Sequence, residues 1–119
     1  MRQLASGLAM PVFLVDPRGH LVFYNEPAEE ILGKRFDETG TMPVEEWSKI
    51  FAPLDEKGAP MTQQELPLVA AAVEQKVGSS QFWIRGLDGV MRKIDVCAFP
   101  IIGQNQQMLG AAAIFNEAV

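Results

Sequence analysis

The chain has 119 residues, of which 48% are hydrophobic and 21% charged, an ordinary composition for one globular domain. Its formal net charge of −5 argues against a nucleic-acid partner, because binding to phosphates depends on Lys and Arg. A single cysteine and a single histidine exclude an internal disulfide and a Cys/His zinc site, and no apolar run has the roughly 18 residues of a membrane span, so we expect a cytoplasmic chain without a membrane partner.

The first element that the pattern predicts is a β-hairpin. Met10 to Val15 and His20 to Tyr24 are apolar runs, and the residues between them, Asp16-Pro17-Arg18-Gly19, have the chemistry of a tight turn. Residues 1–9, with Leu4 and Leu8 four positions apart, predict a short helical cap segment before the domain proper, which we place at residues 10–119.

The middle of the chain predicts a block of short helices. Asn25 is a good N-cap, and Gly33 ends the helix that follows it. A second short helix is predicted over residues 42–51, and a main helix over residues 67–76. The face of the main helix that we expect to be buried comprises Leu68, Val69, Ala72 and Val73.

The last third of the chain predicts three strands. They cover Gln81 to Arg85, Val90 to Ile102 and Gln107 to Phe115, and turn sequences separate them. Two strands, a block of helices and three strands predict an α+β domain, with a five-stranded antiparallel sheet and short helices packed on one face.

The alternation of side chains along the strands predicts which residues face the helices. The inward residues are either the wall of a ligand pocket or simply a filled core. Apolar residues predominate among them, so a ligand would be a small apolar or aromatic molecule. The predicted pocket residues are Phe13, Val15, Trp47, Phe51, Val69, Val73, Phe82, Ile84, Ile94, Val96, Gly110, Ala112 and Ile114.

The same alternation predicts an apolar surface on the outer face of the sheet, away from the helices. Exposed apolar patches of this kind mark interaction sites, so we expect a homodimer, and a signalling partner protein could use the same face. The predicted dimer face comprises Leu4, Leu8, Trp83, Cys97, Phe99, Leu109, Ala113 and Phe115. No basic residue adjoins Cys97, so we do not expect a reactive thiol.

Several strings in the predicted order resemble the PAS family of sensory domains. They are Val12 to Gly19, Leu21 to Asn25, Ala28 to Gly33, Arg85 to Gly89, Ala98 to Ile101 and Gly110 to Phe115, and they extend over nearly the whole chain. The resemblance implies a five-stranded sheet that cups a pocket against its helices. Members of the family hold haem, flavin, a small metabolite or nothing there, and they act in signal transduction, often of the bacterial type.

Haem and flavin are both disfavoured by the same comparison with the family. Haem-binding members usually supply an axial histidine from the main helix, and residues 67–76 contain none. Photosensory flavin members carry a cysteine in an Asn-Cys-Arg-type string on a helix, whereas Cys97 lies on a predicted strand. We therefore predict no cofactor and leave an unknown small molecule possible.

The sequence does not indicate an enzyme. The adjacent carboxylates Glu29-Glu30 and Glu45-Glu46 diverge on their helices, and Ser79-Ser80 has no histidine beside it. Two functions of different classes remain. One is a sensory domain that binds a small molecule, and the other is a ligand-free interaction module that acts through the outer face of its sheet.

Overall fold

The computed structural model describes residues 10–118, which form one antiparallel sheet with helices on one of its faces. The predicted helical segment 1–9, including Leu4 and Leu8, lies outside the described residues. The strands are β1 (Val12–Val15), β2 (Leu21–Tyr24), β3 (Gly78–Arg85), β4 (Met91–Ile102) and β5 (Met108–Glu117). The α-helices are α1 (Glu26–Leu32), α2 (Phe36–Thr39), α3 (Val44–Ile50) and α4 (Pro67–Glu74), and short 3₁₀ turns cover Gln63–Glu65 and Gln104–Gln106.

The sheet has the strand order β2-β1-β5-β4-β3, and all its neighbours are antiparallel. The closing strand β5 therefore lies in the centre, between β1 and β4, and β2 and β3 form the two edges. This arrangement confirms the predicted fold class. None of the helices in residues 10–118 is long and apolar enough to cross a membrane.

Asn25 joins the hairpin to the first helix. Its side-chain oxygen accepts hydrogen bonds from the backbone N–H groups of Ala28, in the first turn of α1, and of Val12, at the start of β1. Its side-chain nitrogen donates to the carbonyl of Met10. The residue that the sequence predicted as an N-cap thus also fixes the angle at which α1 leaves the sheet.

Helix α4 ends at Glu74, two residues before the predicted end, because Gln75 adopts the left-handed conformation that terminates a helix. The prediction that Val73 is buried is wrong, since its side chain is 60% exposed. The face that packs on the sheet instead carries Leu68, Ala71 and Ala72. Val69 is partly buried against the core.

The prediction of which β5 residues face the helices is wrong, because the inward and outward residues are exchanged. Ala113 and Phe115 are buried against the helices, whereas Ala112 and Ile114 lie on the outer face. The strand carries small apolar residues on both faces, so alternation alone could not choose between them. A register irregularity beside Ile101 and Ile102 also interrupts the alternation near the start of the strand.

Gly110 is not a pocket residue either. Its φ of +143° is rare for residues with a side chain, and a Cβ at this position would overlap the carbonyl oxygen of Val15. Glycine is required here because β5 and β1 approach each other closely. Val15 itself is fully buried in the core but does not line the cavity described below.

Candidate functional site

A small cavity lies between the inner face of the sheet and the helices. Its volume is about 70 Å³, and every residue that lines it is apolar in character. Seven predicted pocket residues lie in its wall: Phe13, Trp47, Phe51, Phe82, Ile84, Ile94 and Val96. The other seven lining residues, which the predicted pocket set omitted, are Leu32, Pro53, Leu66, Pro67, Leu68, Ala113 and Phe115.

The aromatic side of the cavity is organised around Phe13. Its ring meets that of Trp47 edge to face, with centroids 5.2 Å apart, and stacks parallel to that of Tyr24 at 6.0 Å. The Trp47 indole N–H donates to the carbonyl of Gly19 over 2.8 Å, so the one polar atom of this ring is satisfied away from the cavity. The wall therefore offers a ligand no hydrogen bond from Trp47.

His20 has a structural partner that the sequence did not indicate. Its Nδ1 atom accepts a hydrogen bond of 2.9 Å from the backbone N–H of Val44, at the start of α3. No local sequence pattern could indicate this contact, because 24 residues separate His20 from Val44. His20 and Trp47 together attach α3 to the hairpin turn.

Tyr24 closes the core at the β2 edge. Its hydroxyl donates to the carbonyl of Lys34 over 2.8 Å and lies 3.2 Å from the Thr39 hydroxyl. Burial raises the pKa of the Tyr24 hydroxyl above its ordinary value. The group is therefore a neutral hydrogen-bonding residue, and it is absent from the cavity wall.

The outer face of the sheet divides into an apolar half and a polar half. Cross-strand pairing places Leu14, Ala112 and Phe99 in one row, and Val12, Ile114 and Cys97 in the next. The following row is polar. It contains Asn116, Asp95 and Gln81.

Of the predicted dimer-face residues, Cys97, Phe99 and Trp83 lie on this outer face. Leu109 is half exposed beside the register irregularity. Ala113 and Phe115 do not belong to it, because both are at most 3% exposed on the inner side. Ile114 and Leu14 take their place among the outer apolar residues.

An open cleft of about 340 Å³ lies where the two halves of the outer face meet. Ser79, Gln81, Asp95, Cys97, Ile114 and Asn116 are among the residues that line it, and Met10 contributes at its end. No local pattern in the sequence indicates this cleft. It depends on the register of three strands and on the depth of the groove between their side chains.

Haem and flavin do not match the residues around the inner cavity. About 70 Å³ is far below the roughly 300–1,000 Å³ of pockets that hold larger ligands. The cavity wall has no histidine or cysteine to ligate iron, and no polar side chain to pair with the polar edge of a flavin. Within residues 10–118, no cluster of His, Cys, Asp and Glu could hold a metal ion.

Comparisons with known proteins identify the fold through solved structures of similar shape. No family model matches the sequence, and no curated protein does. A PAS domain from Colwellia psychrerythraea is 21% identical, with a TM-score of 0.69, and the match covers 98% of this chain and 93% of that one.

Two further structures give the same result. The LOV domain of a blue-light activated histidine kinase from Erythrobacter litoralis is 14% identical, with a TM-score of 0.70 over 92% of this chain and 96% of that one. The PAS domain of BvgS from Bordetella pertussis is 15% identical, with a TM-score of 0.64, and the match covers 100% of this chain and 84% of that one. The strand order, the helices on one face and these matches together establish that the chain has the PAS fold.

Proposed function

We propose that this chain is a non-catalytic regulatory module of signal transduction, which acts by docking the outer face of its sheet against a second copy of itself. The observation that carries the proposal is the apolar half of that face. Leu14, Phe99 and Ile114 are each partly exposed there, on the three adjacent strands β1, β4 and β5. The PAS and LOV domains of similar structure support a sensory context, one of them belonging to a histidine kinase.

A solvated sheet face rarely carries such an apolar surface. Burying apolar area contributes about 25 cal/mol per Å², so covering several large side chains outweighs the modest net repulsion between two acidic chains. A two-fold pair is also the commonest way to cover a single apolar patch, because each copy brings the same patch to the other.

The test is a double variant on the outer face, Phe99→Lys with Ile114→Lys. Both side chains are partly exposed, so the lysines can reach water and the domain should stay folded, as circular dichroism would show. Four like charges would meet in the dimer contact, so we expect folded monomers in sedimentation equilibrium. The matched control, Gln64→Lys with Gln104→Lys, adds the same charge at exposed positions and should remain dimeric.

The proposal fails if the parent protein sediments as a monomer at high micromolar concentration. It also fails if the Phe99→Lys, Ile114→Lys variant dimerises as strongly as the control. Either result would leave the apolar half of the outer face without the role proposed for it.

A second candidate function, binding of a small apolar molecule, is supported by the inner cavity. Its wall is entirely apolar, and a dry apolar cavity favours ligands that need no hydrogen bond. A volume of about 70 Å³ limits the occupant to a few heavy atoms unless the helices move apart. Native mass spectrometry of freshly purified protein should show such a retained molecule, and a mass equal to that of the bare chain would count against this function.

A further inference from the structure

Half of the free edge of β3 carries unpaired backbone groups. Trp83 exchanges both of its backbone hydrogen bonds with Leu54, at 2.8 Å each, and the Arg85 N–H donates to the carbonyl of Phe51. These groups therefore point away from β4. Backbone groups of alternate residues point the same way along a strand, so the N–H and C=O groups of Ser79 and Gln81 also point outward.

Within residues 10–118 these four groups have no hydrogen-bond partner, because the segment that contains Phe51 and Leu54 covers only the second half of the strand. Ser79 and Gln81 are both exposed. An unpaired strand edge is a ready template for another strand.

This part of the edge also lacks the features that usually prevent strand addition. Residues 78–81 read Gly-Ser-Ser-Gln, with no proline and no charged side chain. The pairing of β3 with β4 runs in unbroken register from Gly78 to Arg85, so no bulge twists the edge away. Natural proteins often protect free edges with charged side chains, proline or bulges, and residues 78–81 contain none of these.

The chemistry beside the edge indicates what an added strand would carry. Ser79 and Gln81 form one rim of the outer cleft, and Asp95 lies in that cleft directly opposite Gln81 in the β3–β4 register. The Asp95 carboxylate is exposed, and within the described part of the chain it has neither an ion pair nor a hydrogen bond. It is therefore available to a cation brought by a partner.

We propose that the free half of the β3 edge binds an extended segment of a partner protein as a sixth strand, with a Lys or Arg opposite Gln81. Adjacent strands lie about 4.8 Å apart, so the Cα of that residue would be roughly 10 Å from that of Asp95. A long cationic side chain and the Asp95 carboxylate together span this distance across Gln81. Backbone pairing supplies the affinity in this mode of recognition, and the side chain supplies selectivity.

The charge pattern favours such a segment over a second copy of this chain. A second copy paired through the same edge would present neutral Ser79 and Gln81, and would leave both Asp95 carboxylates unpaired. The chain also carries a net charge of −5, which attracts a basic segment. The inference does not depend on the proposed dimer, whose contact involves the apolar half of the outer face.

The experiment uses the full ¹⁵N-labelled chain and a capped hexapeptide, Lys-Val-Thr-Val-Thr-Val, and the backbone amide shifts of the chain report binding. With its Lys paired antiparallel to Gln81, this peptide runs past Ser79 and away from the part of the edge that Leu54 occupies. We expect the largest shifts at the amides of Ser79 and Gln81. Gln81→Pro removes an outward N–H that β4 does not use, so the domain should keep its fold while affinity falls about tenfold. Gln81→Ala is the matched control, because it keeps that N–H, and its affinity should stay within about twofold of the parent.

A second arm tests the charge. Replacing the peptide Lys by Glu should weaken binding about threefold to tenfold, and Asp95→Asn should remove most of this difference. The same peptide with N-methyl groups on Lys and both Thr residues, whose N–H groups would face β3, cannot form the strand ladder and should not bind.

Four results would overturn the inference. The first is that the shifts centre away from Ser79 and Gln81 or are absent at millimolar peptide. The second is that Gln81→Pro and Gln81→Ala bind the peptide equally well. The third is that the parent binds the Lys and Glu peptides equally well. The fourth is evidence that the edge is already occupied. Shifts at the Ser79 and Gln81 amides that depend on protein concentration, and that persist in the Phe99→Lys, Ile114→Lys variant, would indicate a second copy at this edge. Slow amide exchange at Ser79 and Gln81 without peptide would indicate residues of the chain itself.

Discussion

Individual polar residues in this domain join elements that are distant in the chain. The His20 imidazole accepts from the backbone of Val44, and Asn25 holds both the start of β1 and the start of α1. Arg92 donates to the carbonyl of Ile31, at the end of α1, and to the carboxylate of Asp88, in the β3–β4 turn. Each of these contacts fixes a helix end against the sheet.

The Asp88 carboxyl provides a prediction about pH. Hydrogen bonds from the Arg92 guanidinium and the Val90 N–H hold the pKa of Asp88 below its usual value. A depressed pKa in the folded state stabilises the fold at pH values above the ordinary carboxyl pKa of about 4, and this contribution is lost as the pH falls through the folded-state value. Asp88→Asn should therefore destabilise the domain at pH 7 and have a smaller effect near pH 2.

Urea unfolding of the parent and of Asp88→Asn at the two pH values measures this difference. Asp37→Asn is a suitable control, since that carboxylate also contacts an arginine but is about two-thirds exposed. A destabilisation by Asp88→Asn that is the same at pH 7 and pH 2 would show that the Asp88 charge is not its cause.

Among the elements, β5 decides most about the site because it is the central strand and its two faces serve different surfaces. Phe115 and Ala113 line the inner cavity, and Ile114 lies in the outer cleft. β4 pairs with nearly the whole strand and β1 with its residues Ala111 to Ile114. A change in which residues face inward would therefore place an outer-face residue in the cavity wall and a cavity residue on the outer face.

The orientation of β5 predicts unequal effects of truncating neighbouring side chains. Phe115→Ala should cost about 3–5 kcal/mol, because it removes a buried ring from the core. Ile114→Ala should cost clearly less, since that side chain is partly exposed on the outer face. Equilibrium urea unfolding of the two variants measures both, and a larger loss for Ile114→Ala would refute the orientation described here.

At the scale of the whole molecule, the sheet and helices enclose a core that is nearly filled. Buried residues from all five strands and from α1, α3 and α4 belong to one hydrophobic cluster. The remaining space of about 70 Å³ is smaller than the roughly 150 Å³ of an engineered apolar cavity that accommodates benzene. The domain should therefore reject benzene unless the cavity is enlarged.

Leu66→Ala tests this account of the core. Leu66 is buried in the cavity wall, so the substitution should cost about 2–5 kcal/mol and enlarge the space. Saturating benzene should then raise the melting temperature of Leu66→Ala and leave that of the parent unchanged, as differential scanning calorimetry would show. Thermal stabilisation of the parent by benzene would mean that the core opens more readily than its packing indicates.

Local patterns in the sequence determined the elements and the fold class. The Asp16–Gly19 turn, the Asn25 cap and the Gly33 stop are decided by the chemistry of neighbouring residues, and all three are as predicted. The capping box of Thr62 and Glu65 is likewise local, and it starts the turn before α4. The short helix α2 (Phe36–Thr39) was missed, because four residues carry too little periodicity to predict a helix.

Only the tertiary structure decided the properties of the inner cavity, of the outer sheet face and of the β3 edge. The sequence Gly-Ala-Ala-Ala-Ile-Phe of β5 is apolar on both faces, so which residues face inward follows from how its aromatic side chain, Phe115, packs against the helices. The volume of the cavity is the space left unfilled after many side chains have packed together, and no local sequence pattern encodes it. The open edge at Ser79 and Gln81 is also non-local, because it depends on where the segment around Leu54 lies against β3.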